Sequence, residues 1–363
     1  MSRRLIAICA AVCLAWTAAG ALLLWPDSGD QDTSSDETAA AAGSTDTGGA
    51  ATPPAATAGS SLGVTALEEA EIDAVGPAGP QLDPVESEEP EVEPDGGAFA
   101  VEPADSPLPV QVRLKRPPAA GLLFDVDTGE VLWARRPGLE HPIASLTKMM
   151  TALIIAERHG PEERVLISAK APHVEGSRIG VLKPGRKVPL RGLFIGLLMV
   201  SGNDAAVALA EHDAGTVTRF VDRMNAMAAE LGLGCTHFAG PTGLQDTGNR
   251  SCAYDLAALA RADLANEWVS SVTGRTFASV PFPMKGGSLD LSNNHYFARN
   301  GIAGLPKAQV TGIKTGLTNG AGRCYATTAR LADRHLGVVL LDSPDPIRQV
   351  PRLLRAGFAA EGA

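Results

Sequence analysis

The sequence predicts an α+β domain, α/β in the broad sense: one antiparallel sheet drawn from both ends of a folded region, covered by helices, with a helical lobe inserted between its strands. Three observations carry that expectation. Residues 121–135, GLLFDVDTGEVLWAR, alternate on both sides of Asp127-Thr128-Gly129, a hairpin signal. A block of apolar and amphipathic helices follows, between residues 142 and 264. Three β-rich stretches, 310–316, 321–331 and 335–342, then follow with connections short enough for an antiparallel meander.

Taken in order, the chain of 363 residues begins with Arg3 and Arg4, then 21 uncharged residues from Leu5 to Trp25. As a helix these span about 31 Å, close to a bilayer core. Basic residues before and acidic ones after place the remainder outside the cell. Residues 1–25 therefore read as a membrane anchor, or as a signal peptide cut near Ala18-Ala19-Gly20-Ala21. Residues 26–115 read as a disordered acidic linker of Ala, Pro, Ser and Thr. Its first 85 residues, 26–110, hold 19 acidic residues, no Lys or Arg and one aromatic, Phe99. A flexible chain of that length has an end-to-end distance of roughly 50 Å. The overall charge of −10 hides this asymmetry, because residues 111–363 hold 29 basic and 22 acidic residues, a net of +7. Such a surface suits nucleic acid, acidic lipid or an anionic wall polymer, and export favours the wall. We expect the tether to space the basic domain away from the membrane.

The folded region, 116–363, opens with the hairpin. A helix over 142–160 ends at Gly160-Pro161, and a second apolar helix spans 190–200. Ser201-Gly202-Asn203 breaks it, and a third resumes at 204–212. Residues 217–232 and 255–264 have helical periodicity, as does the closing stretch 346–360. Of five cysteines, Cys9 and Cys13 lie in the apolar N-terminal run. Cys235, Cys252 and Cys324 fit either a Cys235–Cys252 disulfide or three buried small residues. No CxxC or His-rich spacing suggests a metal.

Ser145 and Lys148, at i and i+3, share one helix face at the start of the most apolar extramembrane helix. A serine hydroxyl becomes a nucleophile when a base takes its proton. Burial, and a second cation such as Lys314, would favour the neutral amine that can serve as that base. A Ser-x-x-Lys match alone arises by chance about once in a chain of this size, and Ser-x-Asn alone is more often a helix break. Ser145-x-x-Lys148, Ser201-x-Asn203 and Lys314-Thr315-Gly316, in that order on helix, turn and strand, say more.

Together these motifs resemble those of penicillin-binding proteins and serine β-lactamases. IASLTKMMTALIIAE, LLMVSGNDAAVALAEH, GIKTGLTNGAGRCYATTAR and LLRAGF make the chain similar to low-molecular-mass D-alanyl-D-alanine carboxypeptidases over about 117–360. The resemblance implies a β-lactamase/DD-peptidase-like fold and a penicillin-sensitive hydrolase acting on peptidoglycan stem peptides, with no cofactor, metal or nucleic-acid partner. It implies Ser145 as nucleophile, Lys148 as base, Ser201 as proton relay and Asn203 as holder of the substrate amide. Lys314, Thr315, Gly316 and Leu317 would bind substrate, with the Ser145 and Leu317 N–H groups forming the oxyanion hole. Endopeptidase cleavage by the same machinery is the alternative. A β-lactamase is less well matched, because no Glu-x-x-x-Asn element lies between the second and third motifs.

In better-known members an arginine near the last helix helps hold the substrate carboxylate. Here Pro346 takes that position, and Arg348 lies two residues on. Two further patterns read as bland. Ser292-Asn293-Asn294 also matches Ser-x-Asn but lies in a polar stretch. Glu211-His212-Asp213 reads as a helix end facing water.

Overall fold

The alternation around Asp127 produces the hairpin from which the sheet grows. The computed structural model describes residues 97–103, 107–244 and 248–360, all within one compact unit, Leu82–Ala363. The expected N-terminal anchor, and the linker as far as residue 96, lie outside the described residues. Among those described, no helix is long and apolar enough to cross a membrane.

β1 (Glu102–Pro103), β2 (Ala120–Asp125), β3 (Glu130–Arg135) and β4 (His141–Pro142) precede α1 (Thr147–Arg158). A ribbon of β5 (Arg164–Leu166) and β6 (Lys187–Pro189) leads into α2 (Leu190–Met199), α3 (Asn203–Ala214) and α4 (Val217–Glu230). β7 (Arg250–Ser251) returns to pair with β4, and α5 (Ala253–Ala265) and α6 (Glu267–Thr273) follow. A hairpin of β8 (Phe277–Pro281) and β9 (Ser288–Ser292) and the short α7 (Tyr296–Asn300) come next. β10 (Gln309–Thr318), β11 (Gly322–Leu331), β12 (Arg334–Leu341) and α8 (Pro346–Ala359) close the chain.

The principal sheet has the order β1-β3-β2-β12-β11-β10, antiparallel except for β1 on β3. The β12–β2 pair joins the two ends of the domain, as the sequence predicts. β2 is buried along its whole length because both sheet faces are covered. Leu122 and Phe124 enter the core shared with α1, while Leu123 points to the opposite core, where Val350, Leu353 and Leu354 of α8 pack. α1 is buried from Thr147 to Ile155, so it is a central helix rather than a surface one. The turn after β2 is set by Asp125, whose Oδ1 accepts from the Asp127 and Thr128 N–H groups, both at 3.0 Å. Gly129 there has φ +88°, and a Cβ would stand 2.7 Å from the Ala100 oxygen.

Three expectations change. Residues 97–103 and 107–115, assigned to the linker, pack on the domain. Val101 and Val110 are buried, the Val110 N–H donates to Leu132 O at 3.0 Å, and Trp133 Nε1 donates to Val112 O at 3.1 Å. Spaced apolar residues among the prolines supply enough contact to extend the sheet edge. The helix expected from residue 142 begins instead with a 3-10 turn, Ala144–Leu146, so Ser145 precedes α1. The β8–β9 hairpin was not foreseen, although both of its five-residue strands alternate between buried and more exposed positions.

Cys235 and Cys252 form a disulfide, Cα atoms 5.6 Å apart, tying the segment after α4 to the N-cap of α5. Cys324 is free and buried, and burial pushes its thiol up to about 12, so it is unreactive. The bridge closes a loop of sequence separation 17. Replacing both Cys235 and Cys252 by Ser should cost about 3 kcal/mol, read as a lower denaturant midpoint with an unchanged fold.

Candidate active site

Ser145 sits in the 3-10 turn, and Lys148 rises from the first turn of α1 behind it. Lys148 is fully buried. Its Nζ donates to Ser145 Oγ at 3.0 Å and to Thr242 O at 2.5 Å. The Thr242 carbonyl was not visible in the sequence as a partner, since it comes from a loop 94 residues away. Thr151 Oγ1 donates to Pro241 O at 3.0 Å and fixes the same loop against α1.

The turn between α2 and α3 carries the second motif. Ser201 has φ +59°, in the left-handed region that directs the backbone sharply between two helices. Its Oγ is buried and has no hydrogen-bond partner among the described residues. Asn203 Nδ2 donates to Glu175 O at 2.6 Å, while its Oδ1 is likewise unpartnered. Asp204, which the sequence reading passed over, fixes the neighbouring loop. Its carboxylate accepts from the N–H groups of Ile179 at 2.9 Å and Gly180 at 3.0 Å.

β10 supplies the third motif from the sheet edge. Lys314 is 1% exposed, and its Nζ donates to Thr315 O at 2.9 Å. Burial lowers its pKa to about 7. His295 is held neutral, its pKa lowered to about 4 by burial and then by the charge on Lys314. Gly316 crosses directly over the Ser145 turn: a Cβ would lie 2.9 Å from both Ser145 N and Ala144 Cβ. Only glycine lets the strand backbone approach this closely.

Ser145, Ser201, Thr315, Gly316 and Leu317 line one cleft of about 320 Å³, so helix, turn and strand motifs meet as expected. Lys148, Asn203 and Lys314 stand behind it, buried. A second cleft, about 630 Å³, is lined by Ala144 and Thr318, which adjoin Ser145 and Leu317 of the first, and by Glu175, whose carbonyl accepts from Asn203.

Four further residues of the first cleft were missed: Ser177, Asn294, Arg323 and Tyr325. Asn294 belongs to the Ser292-Asn293-Asn294 pattern that was set aside. Its N–H donates to Met199 O at 2.8 Å, and Asn293 is buried, its amide donating to Thr273 O and Arg275 O. Arg323 stands opposite Leu317 on β11, and its Nη1 donates to Pro344 O at 3.3 Å. Arg348 does not reach the cleft lining. Its side chain is 87% exposed, 3.6 Å from Asp345. Cross-strand register is the signal that could have found Arg323.

The comparisons agree with this geometry. The D-alanyl-D-alanine carboxypeptidase family, peptidase S11, matches residues 116–345. The D-alanyl-D-alanine carboxypeptidase DacF of Bacillus subtilis is 33% identical over 248 residues, 66% of this chain and 62% of that protein. A D-alanyl-D-alanine endopeptidase of Pseudomonas aeruginosa is 34% identical over 245 residues, 66% of this chain and 76% of that one. The crystal structure of a D-alanyl-D-alanine carboxypeptidase from Mycobacterium tuberculosis H37Rv superposes with a TM-score of 0.63 at 31% identity, over 71% of this chain and 96% of that one. A β-lactamase/DD-peptidase-like sheet and lobe, three motifs gathered around one serine, and this similarity converge: the chain belongs to the D-alanyl-D-alanine carboxypeptidase family of low-molecular-mass penicillin-binding proteins.

Proposed function

We propose that this protein is a serine D-Ala-D-Ala carboxypeptidase that trims the terminal D-alanine from peptidoglycan stem peptides. The 3.0 Å contact from Lys148 Nζ to Ser145 Oγ, at the floor of the cleft, carries that reading. In its unprotonated form Lys148 takes the Ser145 proton as Oγ attacks the carbonyl of the penultimate D-alanine. The N–H groups of Ser145 and Leu317 hold the oxyanion, a contribution of a few kcal/mol per donor. Ser201 relays the proton to the leaving amine, so D-alanine departs and an acyl-Ser145 ester remains. Water, deprotonated through Lys148, then cleaves the ester and restores the serine. Asn203 orients the substrate amide, and the larger cleft by Ala144 and Glu175 accommodates the rest of the stem peptide.

Thr315, Lys314 and Arg323 hold the terminal carboxylate. Arg323 takes the part that a last-helix arginine plays elsewhere, because it is permanently charged, lines the cleft and reaches the β12–α8 junction at Pro344. β-Lactams acylate Ser145 as substrate mimics. The N-terminal apolar segment, read from sequence, tethers the domain to the outer face of the cell membrane, or is removed on export.

Intact-mass spectrometry with penicillin is the first test: one long-lived adduct on the wild type and none on Ser145→Ala. Drug turnover without a lasting adduct would instead identify a β-lactamase. Release of D-alanine from a pentapeptide, set against cleavage of a cross-linked dimer, separates carboxypeptidase from endopeptidase. Arg323→Gln should raise KM for a D-Ala-D-Ala peptide by roughly tenfold or more with kcat little changed, since a charged hydrogen bond contributes about 1.5–3 kcal/mol. Arg348→Gln should change neither.

Lys314 also predicts a pH effect. Its folded pKa is about 7, against about 10.4 for a free lysine. Between those values the unfolded chain binds the extra proton, so stability rises with pH. Relative to Lys314→Met, the wild type should gain stability from about pH 7 to about pH 10 and show no pH-dependent difference below about pH 6, measured by denaturant titration.

A further inference from the structure

α1 and α3 present active-site residues at their N-terminal ends, Lys148 and Asn203. Their C-terminal ends meet about 18 Å away, one helix length. There His159 caps α1 and His212 occupies the last turn of α3. Glu163 reaches between them from the turn after α1. Its Oε1 accepts from the Gly160 N–H at 2.7 Å, while Oε2 stands 3.0 Å from both His159 Nδ1 and His212 Nε2. The three donor atoms lie within 4.8 Å of one another.

The far side of His159 is also built. Its Nε2 lies 3.0 Å from Asp213 Oδ1, on a carboxylate with no solvent exposure that Arg158 contacts at 2.7 Å and Arg223 also pairs with. A carboxylate paired with two guanidinium groups accepts, so Nε2 donates towards it. In the neutral ring the Nδ1 lone pair then faces Glu163. A cation standing between them would bind both that lone pair and the carboxylate.

We propose that His159 Nδ1, His212 Nε2 and Glu163 Oε2 form a zinc site, with water as fourth ligand. Two imidazoles and one carboxylate are a zinc donor set, and bonds of about 2.0–2.1 Å in a tetrahedron place donors about 3.4 Å apart, against 3.0 Å from Glu163 Oε2 to each imidazole nitrogen here. Asp213 behind His159 is the orienting carboxylate that such a ligand normally has. Side-chain exposures of 15%, 22% and 41% for His159, His212 and Glu163 leave an entry path. The ion takes no part in the peptidase chemistry. It clasps the ends of two helices whose other ends carry Lys148 and Asn203, and so holds these helices in register. The Glu211-His212-Asp213 stretch is thus more than a helix end facing water, since the Asp213 side chain is wholly buried.

The test uses the full chain without an affinity tag, stripped with a chelator and titrated with Zn²⁺ against a chromophoric competitor. One equivalent should bind, and Co²⁺ should give the intense visible bands of a four-coordinate site. His212→Ala and Glu163→Gln should each weaken binding by roughly 100-fold or more. Zn²⁺ should raise the melting temperature of the wild type and leave both variants unmoved. No saturable binding would overturn the proposal, leaving the cluster a hydrogen-bonded tie between the two helix ends. Equal binding by wild type and variants would overturn it too, placing the metal elsewhere. The wild-type Co²⁺ spectrum decides the coordination even if a variant fails to fold, and no readout depends on peptidase activity.

Discussion

A methyl group on Gly316 would touch the Ser145 nitrogen and the Ala144 side chain at 2.9 Å, and much of the molecule is arranged around that near-contact. It requires an edge strand free of a neighbour on one side, and β10 ends the sheet order. It requires a helix start pressed into the same edge, and the 3-10 turn before α1 provides it. The approach brings Ser145 and Leu317 to the lining of one cleft, and in the proposed function their backbone N–H groups are the fixed dipoles that stabilise developing charge without reorganising. A free edge also offers main-chain groups to an extended peptide, and Leu317, 66% exposed, marks its rim.

The second constraint is the burial of two lysines. Lys148 and Lys314 are among the largest fully buried side chains of the domain. Taking an ammonium out of water costs several kcal/mol, so the fold must offset this elsewhere. It does so with extensive apolar packing. α1 is surrounded on all sides, and the sheet separates two cores, one under the helical lobe and one under α8. The lysines are also held by carbonyls, of Thr242 and Thr315 respectively, which accept from an amine without stabilising its charge as a carboxylate would. The same logic accounts for the unpartnered Ser201 Oγ and Asn203 Oδ1. Buried polar atoms without partners among the described residues are costly, and in the proposed function substrate supplies those partners.

The helical lobe adds a mechanical element. α1 and α3 run from the cleft to a common end, where His159, Glu163, His212 and Asp213 interlock. The disulfide at Cys235–Cys252 fixes the return towards α5. Both ties lie away from the chemistry, and both act on segments whose near ends position it.

The sequence by itself determined the fold class, the three motifs and their carriers. Its hydrophobic periods are local and strong, and Ser145-x-x-Lys148 opens a run too apolar to be anything but buried. It also determined that the domain is basic and its leader acidic. Only the tertiary structure decided what depends on non-local register. Arg323 faces the cleft because β10 and β11 pair Leu317 with it. The Thr242 carbonyl reaches Lys148 across 94 residues of sequence. Asn294 enters the site from a stretch that looked like a polar loop, and residues 97–103 and 107–115 join the domain although their composition resembles the tether. Apart from the local hairpin register that places Arg323, the deciding contact is made between segments whose distance in the chain carries no periodic signal, and packing alone brings them together.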